Sequence, residues 1–226
     1  MKYVVGIDTG GTFTDLICVD EEGASVIIKT PSTPEDPSTA VVNGLNDMAV
    51  KLAKDLPGLL SDVTRICHGT TVTTNTVLTW TGAKVGLICT KGFRDTLGIR
   101  FGIRETPYDY TIPAPKALSP RYLRVPIEER IKWNGEVVKP LNEAEVREAC
   151  QYFKAQGVEA IVVGFVWSFK NPTHERRAEE ICRDELPEVY VCGSCDVQPE
   201  LREYWRISTA TLNAYVGPNL SGYLKN

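Results

Sequence analysis

Residues 4–20 read VVGIDTGGTFTDLICVD, and this stretch limits the possible folds more than any other. Two apolar runs of strand composition, 3–9 (YVVGIDT) and 13–19 (FTDLICV), are joined by a connection short enough to force an antiparallel hairpin. The turn holds adjacent glycines, Gly10 and Gly11, followed by Thr12, Phe13 and Thr14, with Asp8 at the end of the first strand. A plain hairpin accounts for the glycines but not for Asp8, because a buried unpaired carboxylate is costly. Glycines let a ligand approach the backbone, and successive N–H groups in such a turn form an anion-binding concavity. Asp8 would then hold Mg²⁺, which favours a carboxylate combined with phosphate oxygens. Strand alternation sets Thr14 and Asp15 on opposite faces, so only one of them is expected to point at the phosphates.

Two rival readings of the same residues fail. DTG also marks aspartic proteases, where two carboxylates share a proton, but those folds are essentially all-β and this chain alternates helix and strand extensively. A dinucleotide-binding GxGxxG has to open a helix, and here a strand follows the glycines. Phosphate binding is the reading that remains.

A third strand is expected at 24–30 (ASVIIKT), completing an antiparallel meander. Asp36 caps a helix with Pro37 at its first position, and Val41, Leu45, Met48 and Leu52 follow at helical spacing. A short strand at 63–67 (VTRIC) runs into HGTTVTTNTVLTWTG, a loop turning into a helix, and 84–90 (KVGLICT) form another strand. The order β-β-β-α-β-α-β is that of a ribonuclease-H-like lobe, the unit of actin-like ATPases: an α/β fold with a mixed sheet and helices on both faces. Residues 94–137 interrupt this order, and the stretch from Arg100 to Arg130 carries five prolines. It reads as an inserted Pro-rich loop region with short strands near 123–132. Alternation then resumes. Asn142 caps a helix with Glu145 at the capping-box position and Gly157 at its end. VEAIVVGFVW is a strand buried on both faces. NPTHERRAEEICRDEL is a helix with an Asn cap and a proline at its first position. EVYVCG is a further strand, and residues 199–224 are expected to be helical with an interruption at Gly217-Pro218.

Composition excludes several classes of function. The chain has 226 residues, 42% hydrophobic and 24% charged, with a net charge of −4, which suits a soluble globular protein and not a nucleic-acid binder. No apolar run reaches the ~20 residues of a membrane-spanning helix, and the N-terminus enters a strand with no signal-peptide pattern. Seven cysteines, an odd number scattered through regular segments, point to a reducing compartment, so the expected location is cytoplasmic.

Further candidates can be read two ways. HGTTVTTN (68–75) puts His68 at a strand end, followed by Thr70, Thr71 and Asn75 at a helix N-terminus suited to an anion. His68 is either an acid/base or substrate-carbonyl group, or a residue satisfied by the backbone beside a Thr70 or Thr71 cap. RFGIRETPYDY (100–110) contributes Arg100, Arg104 and Glu105, as ligand clamps or as solvated and interface charges. CGSC (192–195) has redox-pair spacing without a second CxxC, which favours a strand end and tight turn. The four tryptophans are expected in a core or an interface. Arg202 and Arg206 share a helical face.

GIDTGGTFTD followed by HGTTVTTNTVL resembles the N-terminal region of the hydantoinase A/5-oxoprolinase family, which includes acetone and acetophenone carboxylase subunits. GFRD, PRYLRVPIEERI, GFVWSFKNPTHE and RISTATLNAYVGP extend the resemblance over nearly the whole chain. It implies an actin-like ATPase using ATP and Mg²⁺ to open a cyclic amide, or to activate a ketone for carboxylation. It further implies Asp8 at the metal, Gly10 to Asp15 around the phosphates, and His68, Thr70, Thr71 and Asn75 near the reacting group. Residues 1–198 would form the first lobe and 199–226 the start of a second, with a second subunit as partner. A non-catalytic, nucleotide-switched module remains the reading from another class.

Overall fold

The computed structural model describes residues 1–33, 36–102, 106, 108–109 and 111–225, and of Pro37 the backbone alone. Two compact units are found: residues 1–81 with 219–226, and residues 82–218.

The first unit is built on the expected meander. Strands β1 (Tyr3–Thr9), β2 (Phe13–Asp20) and β3 (Ser25–Pro31) pair antiparallel. Helix α1 (Pro37–Lys51) follows, and the Asp36 carboxylate accepts from the Ser38 N–H as its cap. A short helix α2 (Leu56–Asp62), capped by Asp55 with proline in its first turn, precedes β4 (Val63–Thr70), which lies parallel to β1. Helix α3 (Val72–Thr79) ends at Trp80, whose φ of 56° is left-handed. The sheet order is β3-β2-β1-β4. Alternate residues Tyr3, Val5, Ile7, Leu16, Cys18 and Ile28 are buried with Leu45 and Met48 of α1 and Leu59 of α2. The opposite face carries Val4, Ile17 and Ile27, all exposed. Helices on both faces were expected; among the described residues this sheet has them on one.

In the second unit, β5 (Val85–Thr90) leads into the short helix α4 (Thr96–Ile99), and a 3-10 turn at Arg121–Leu123 leads into β6 (Arg124–Ile127). The hairpin β7 (Arg130–Ile131) and β8 (Val137–Lys139) precedes helix α5 (Glu143–Ala155). Then come β9 (Ala160–Gly164), α6 (Thr173–Glu185), β10 (Tyr190–Gly193), α7 (Ser194–Val197) and α8 (Glu203–Lys225), whose last turns fall in the first unit. The sheet β10-β9-β5-β6 is parallel throughout. Ile88, Ile161 and Val163 pack on one side with α5 and α6; Leu87, Cys89 and Val162 pack on the other with Ile207, Ala210 and Ala214 of α8. This is the doubly covered arrangement read from VEAIVVGFVW.

Several expectations need correction. The chain has two four-stranded sheets where one mixed sheet was expected, and only the first is mixed. The Pro-rich segment supplies β6, with Leu123 and Ile127 fully buried, so its end belongs to the second core. The strand expected at 63–67 runs on to Thr70, taking His68 and Gly69 into the ladder with β1. Asn142 does accept from the Glu145 N–H, but the Glu145 carboxylate turns to the Glu128 N–H, and no reciprocal capping box forms. Asn171, one residue outside the assigned cap of α6, accepts from the Thr173 N–H. Helix α8 continues through Pro218; Asn219, just beyond, bonds the Thr76 hydroxyl and the Thr81 carbonyl. Of the core or interface places expected for the tryptophans, the core is excluded for Trp80, Trp133 and Trp205, which are exposed. Among the described residues no helix is long and apolar enough to cross a membrane.

Candidate functional site

The site lies at the end of the β1–β2 hairpin, next to the end of β4. The Gly10 N–H donates to the Phe13 carbonyl at 2.9 Å and closes the turn. Ser32, just past β3, fixes it from the side: its hydroxyl donates to the Gly10 carbonyl at 2.8 Å and lies 3.0 Å from the Thr14 hydroxyl, and its N–H donates to the Thr12 carbonyl at 2.9 Å. Two N–H groups are left, those of Gly11 and Thr12, and among the described residues neither finds an acceptor. A Cβ on Gly10 would stand 2.9 Å from the Phe13 carbonyl, and one on Gly11 would stand 3.0 Å from the Asn75 amide nitrogen. The glycines therefore allow the tight closure, and Asn75 of α3 sits over the turn.

Register divides the remaining candidates between two faces. Asp8 pairs with Asp15 across β2 and with Gly69 across β4, and Asp15 pairs with Lys29 of β3. Neighbours in register share a face, so Asp8, Asp15 and Lys29 form one row. Lys29 Nζ lies 3.1 Å from Asp15 Oδ1 and 4.9 Å from the centre of the Phe13 ring. Asp8 is exposed, and among the described residues it has no hydrogen bond or ion pair. Gly69 stands beside it in β4, and a Cβ there would make an ordinary contact with Asp8 Oδ1 at 3.7 Å. A shallow cavity of about 290 Å³ on this face is lined by Gly6, Asp8, Asp15, Ile17, Ile27 and Cys67.

The other face takes Thr9, Thr14, His68 and Thr70. Thr14 is fully buried, and its hydroxyl is spent on Ser32. His68 Nε2 lies 3.3 Å from the Thr9 hydroxyl and also bonds the Tyr223 hydroxyl. The Thr70 hydroxyl accepts from the Val72 N–H at 3.2 Å, and the Thr71 N–H donates to the Thr9 carbonyl at 3.2 Å. The Thr71 hydroxyl accepts from the Asn75 amide at 3.3 Å. The structure thus brings Thr71 and Asn75 to the glycine turn and sets Asp8 and His68 on opposite faces of the sheet.

Sequence reasoning missed Ser32, Lys29 and Tyr223. Lys29 was open to discovery, since pairing the expected strands puts it opposite Asp15. Ser32 lies in a loop and Tyr223 is 155 residues from its partner, so neither carried a local signal. Arg104 and Glu105 lie outside the described residues. The CGSC segment is the end of β10, as expected, but it passes into the short helix α7 and not into a tight turn. Burial pushes the Cys192 and Cys195 thiols up to about 11 and about 12, away from thiolate chemistry. Among the described residues no His, Cys, Asp and Glu cluster could hold a metal by itself. Arg206 is buried in the second unit, bonded to Ser194, Glu200 and Phe165.

Fold and site together define an α/β chain whose first hairpin turn leaves two N–H groups without acceptors among the described residues, next to the exposed Asp8. It belongs to the hydantoinase/oxoprolinase family: the model of that family's N-terminal region matches residues 4–186. The chain is 44% identical to the caprolactamase subunit alpha of Pseudomonas jessenii over 99% of its own length and 32% of that protein's. It is 35% identical to the acetophenone carboxylase gamma subunit of Aromatoleum aromaticum, over 94% of this chain and 31% of that one. In structure it matches the ATP-dependent caprolactamase of Pseudomonas jessenii with a TM-score of 0.88, covering 99% of this chain and 33% of that one. Nucleotide-free acetone carboxylase, 30% identical, matches with a TM-score of 0.91 over the same shares, 99% and 33%. The chain therefore spans about a third of the length of these relatives.

Proposed function

We propose that this chain is the N-terminal lobe of an ATP-dependent hydrolase that opens a cyclic amide (a hydantoin, 5-oxoproline or a lactam) by phosphorylating its carbonyl oxygen. The observation that carries the reading is the pair of unclaimed N–H groups at Gly11 and Thr12 beside the unpaired Asp8 carboxylate. Adjacent backbone donors in a tight turn suit phosphate oxygens, and a free carboxylate at their edge suits Mg²⁺. The residues fit both groups. Asp8 would hold the metal, whose role when bound is to neutralise charge on the phosphates.

The chain's own residues have separate tasks. Gly10 and Gly11 keep the approach to the backbone open, and Ser32 with the buried Thr14 holds the turn in shape. Lys29 neutralises Asp15, which leaves Asp8 the one unneutralised carboxylate of that row. Asn75 presents an amide over Gly11, in reach of a bound phosphate or of the reacting group. His68 acts from the other face and positions Thr9 and the end of β4. We carry residues 1–198 as a ribonuclease-H-like first lobe, residues 199–226 as the opening of the next, and a second subunit as the partner. The kinship with caprolactamase supports the hydrolase over the carboxylase.

ADP release by the complete protein, with any subunit that co-purifies, tests this. Release stimulated by a lactam, hydantoin or 5-oxoproline alone is expected. Release that needs acetone or acetophenone together with bicarbonate would move the assignment to a ketone carboxylase. No release with either set, despite nucleotide binding, would leave a switch module.

A further inference from the structure

Outside the hairpin site, the second unit holds a buried cation that nothing in the fold explains. Arg124 opens β6 and is 4% exposed. Its Nε donates to the Ser119 carbonyl at 2.9 Å, and among the described residues its two terminal nitrogens have no hydrogen bond or ion pair. The nearest acid, Asp95, is engaged by Arg121 in a two-pronged pair at 2.8 and 3.0 Å. Adjoining Arg124, the Ser119 hydroxyl is buried and also lacks a partner among the described residues. Burial pulls the guanidinium below its usual range, and Asp95 only partly opposes this. The stem and Nε are buried while the terminal nitrogens are reached from the adjoining cavity, so an anion entering there would meet an unpaired charge in low-dielectric surroundings.

Arg124 faces a cavity of about 470 Å³ on the α8 side of the sheet, at its β6 edge. That volume is in the range of small-molecule sites. Leu97, Ala114, Ala117, Leu118 and the Tyr204 ring give the cavity an apolar part beside its charged residues. Among the described lining residues Asp95 is already paired with Arg121, which leaves Arg124 without an acid of its own. A planar guanidinium with both terminal nitrogens free matches a carboxylate in a two-bond fork. A spherical, fully hydrated anion would gain nothing from the apolar walls.

We propose that this cavity is a binding site for a small organic carboxylate with a short apolar body, the carboxylate seated on Arg124. The site lies wholly within residues 95–211 and does not depend on the hairpin site. The test is calorimetric titration of the complete protein with hexanoate, its neutral counterpart hexanamide, and inorganic phosphate. Hexanoate is expected to bind at least tenfold more tightly than hexanamide, and phosphate not to compete. Arg124→Met should abolish that preference while leaving the melting temperature unchanged or higher, since an uncompensated charge is removed. Ala117→Phe, which fills the cavity and keeps Arg124, should block hexanoate and decides the matter if Arg124→Met does not fold. Equal binding of hexanoate and hexanamide, displacement by phosphate, or hexanoate binding that survives both variants would overturn the proposal.

Discussion

At the ends of β9 and β10, Glu175 is buried and accepts four hydrogen bonds, from the Phe165 and Cys195 N–H groups and the Ser168 and Ser194 hydroxyls. At the end of β1, Asp8 is exposed and accepts none among the described residues. Both carboxylates belong to strand-end regions of four-stranded sheets, yet their surroundings are opposite. Around Glu175 the polar groups satisfy one another: Arg206 donates to Ser194, and Ser194 donates to Glu175. In the row that holds Asp8, the one cation is committed elsewhere, Lys29 to Asp15. A saturated network fixes a fold; an unsaturated one is free to meet a ligand. The contrast supports the proposal that the first unit meets the phosphate, while the polar core around Glu175 satisfies itself.

The contrast can be broken by mutation. On stability, the largest effect is expected for Arg206→Met. It leaves Ser194 and the Phe165 carbonyl short of a donor in a buried site, at a cost of about 3–5 kcal/mol in urea unfolding. If Arg206→Met were as stable as the parent, the network would not be structural.

Glu179 gives the next effect. Burial pushes its carboxyl up to about 7 from 4.5, against the pull of the Arg183 pair. A raised folded pKa stabilises below the unfolded value and is lost as pH rises through the folded one. Stability should thus fall between about pH 4.5 and pH 7, by up to roughly 3 kcal/mol. Glu179→Gln should flatten that slope in melting curves recorded across this window. Gly193→Ala comes third. Its methyl would collide with the buried Glu179 carboxylate, and overpacking of this kind costs about 1–3 kcal/mol.

The smallest stability effect belongs to the hairpin site. Asn75→Ala should change the unfolding free energy by no more than about 0.5 kcal/mol, because among the described residues the amide bonds only the exposed Thr71 hydroxyl. It should nevertheless weaken ATP binding by the complete protein several-fold. An affinity equal to that of the parent would remove Asn75 from the site.

How far the sequence disclosed all this follows from where its signals lie. The glycine turn, Asp8 and the Asp36 and Asn142 caps were legible because each is set by neighbours within a few residues. The apolar strands β5 and β9 were legible from continuous burial. A short strand near β6 was expected, but its place in the second core was not legible, since Pro126 and Arg124 obscure any period and its burial comes from partners far along the chain. Helix α2 was hidden by its seven-residue length. The break expected at Pro218 did not occur, because Gly217 packs tightly on the Tyr190 ring and Asn219 anchors the next turn. The separation of Asp8 from His68 needed the β1–β4 register, in which His68 stands beside Ile7 and Gly69 beside Asp8. No reading of either motif alone contains that register.

The central claim is that Asp8 is kept free for a metal-bound phosphate. The direct measurement is Asp8→Asn in the complete protein, with substrate-stimulated ADP release and the melting temperature recorded together. The account expects release to fall by about 10³-fold or more with the melting temperature within a degree or two of the parent, since the side chain is exposed and unbonded. Full activity in Asp8→Asn, or a loss of activity accompanied by a large drop in melting temperature, would contradict it.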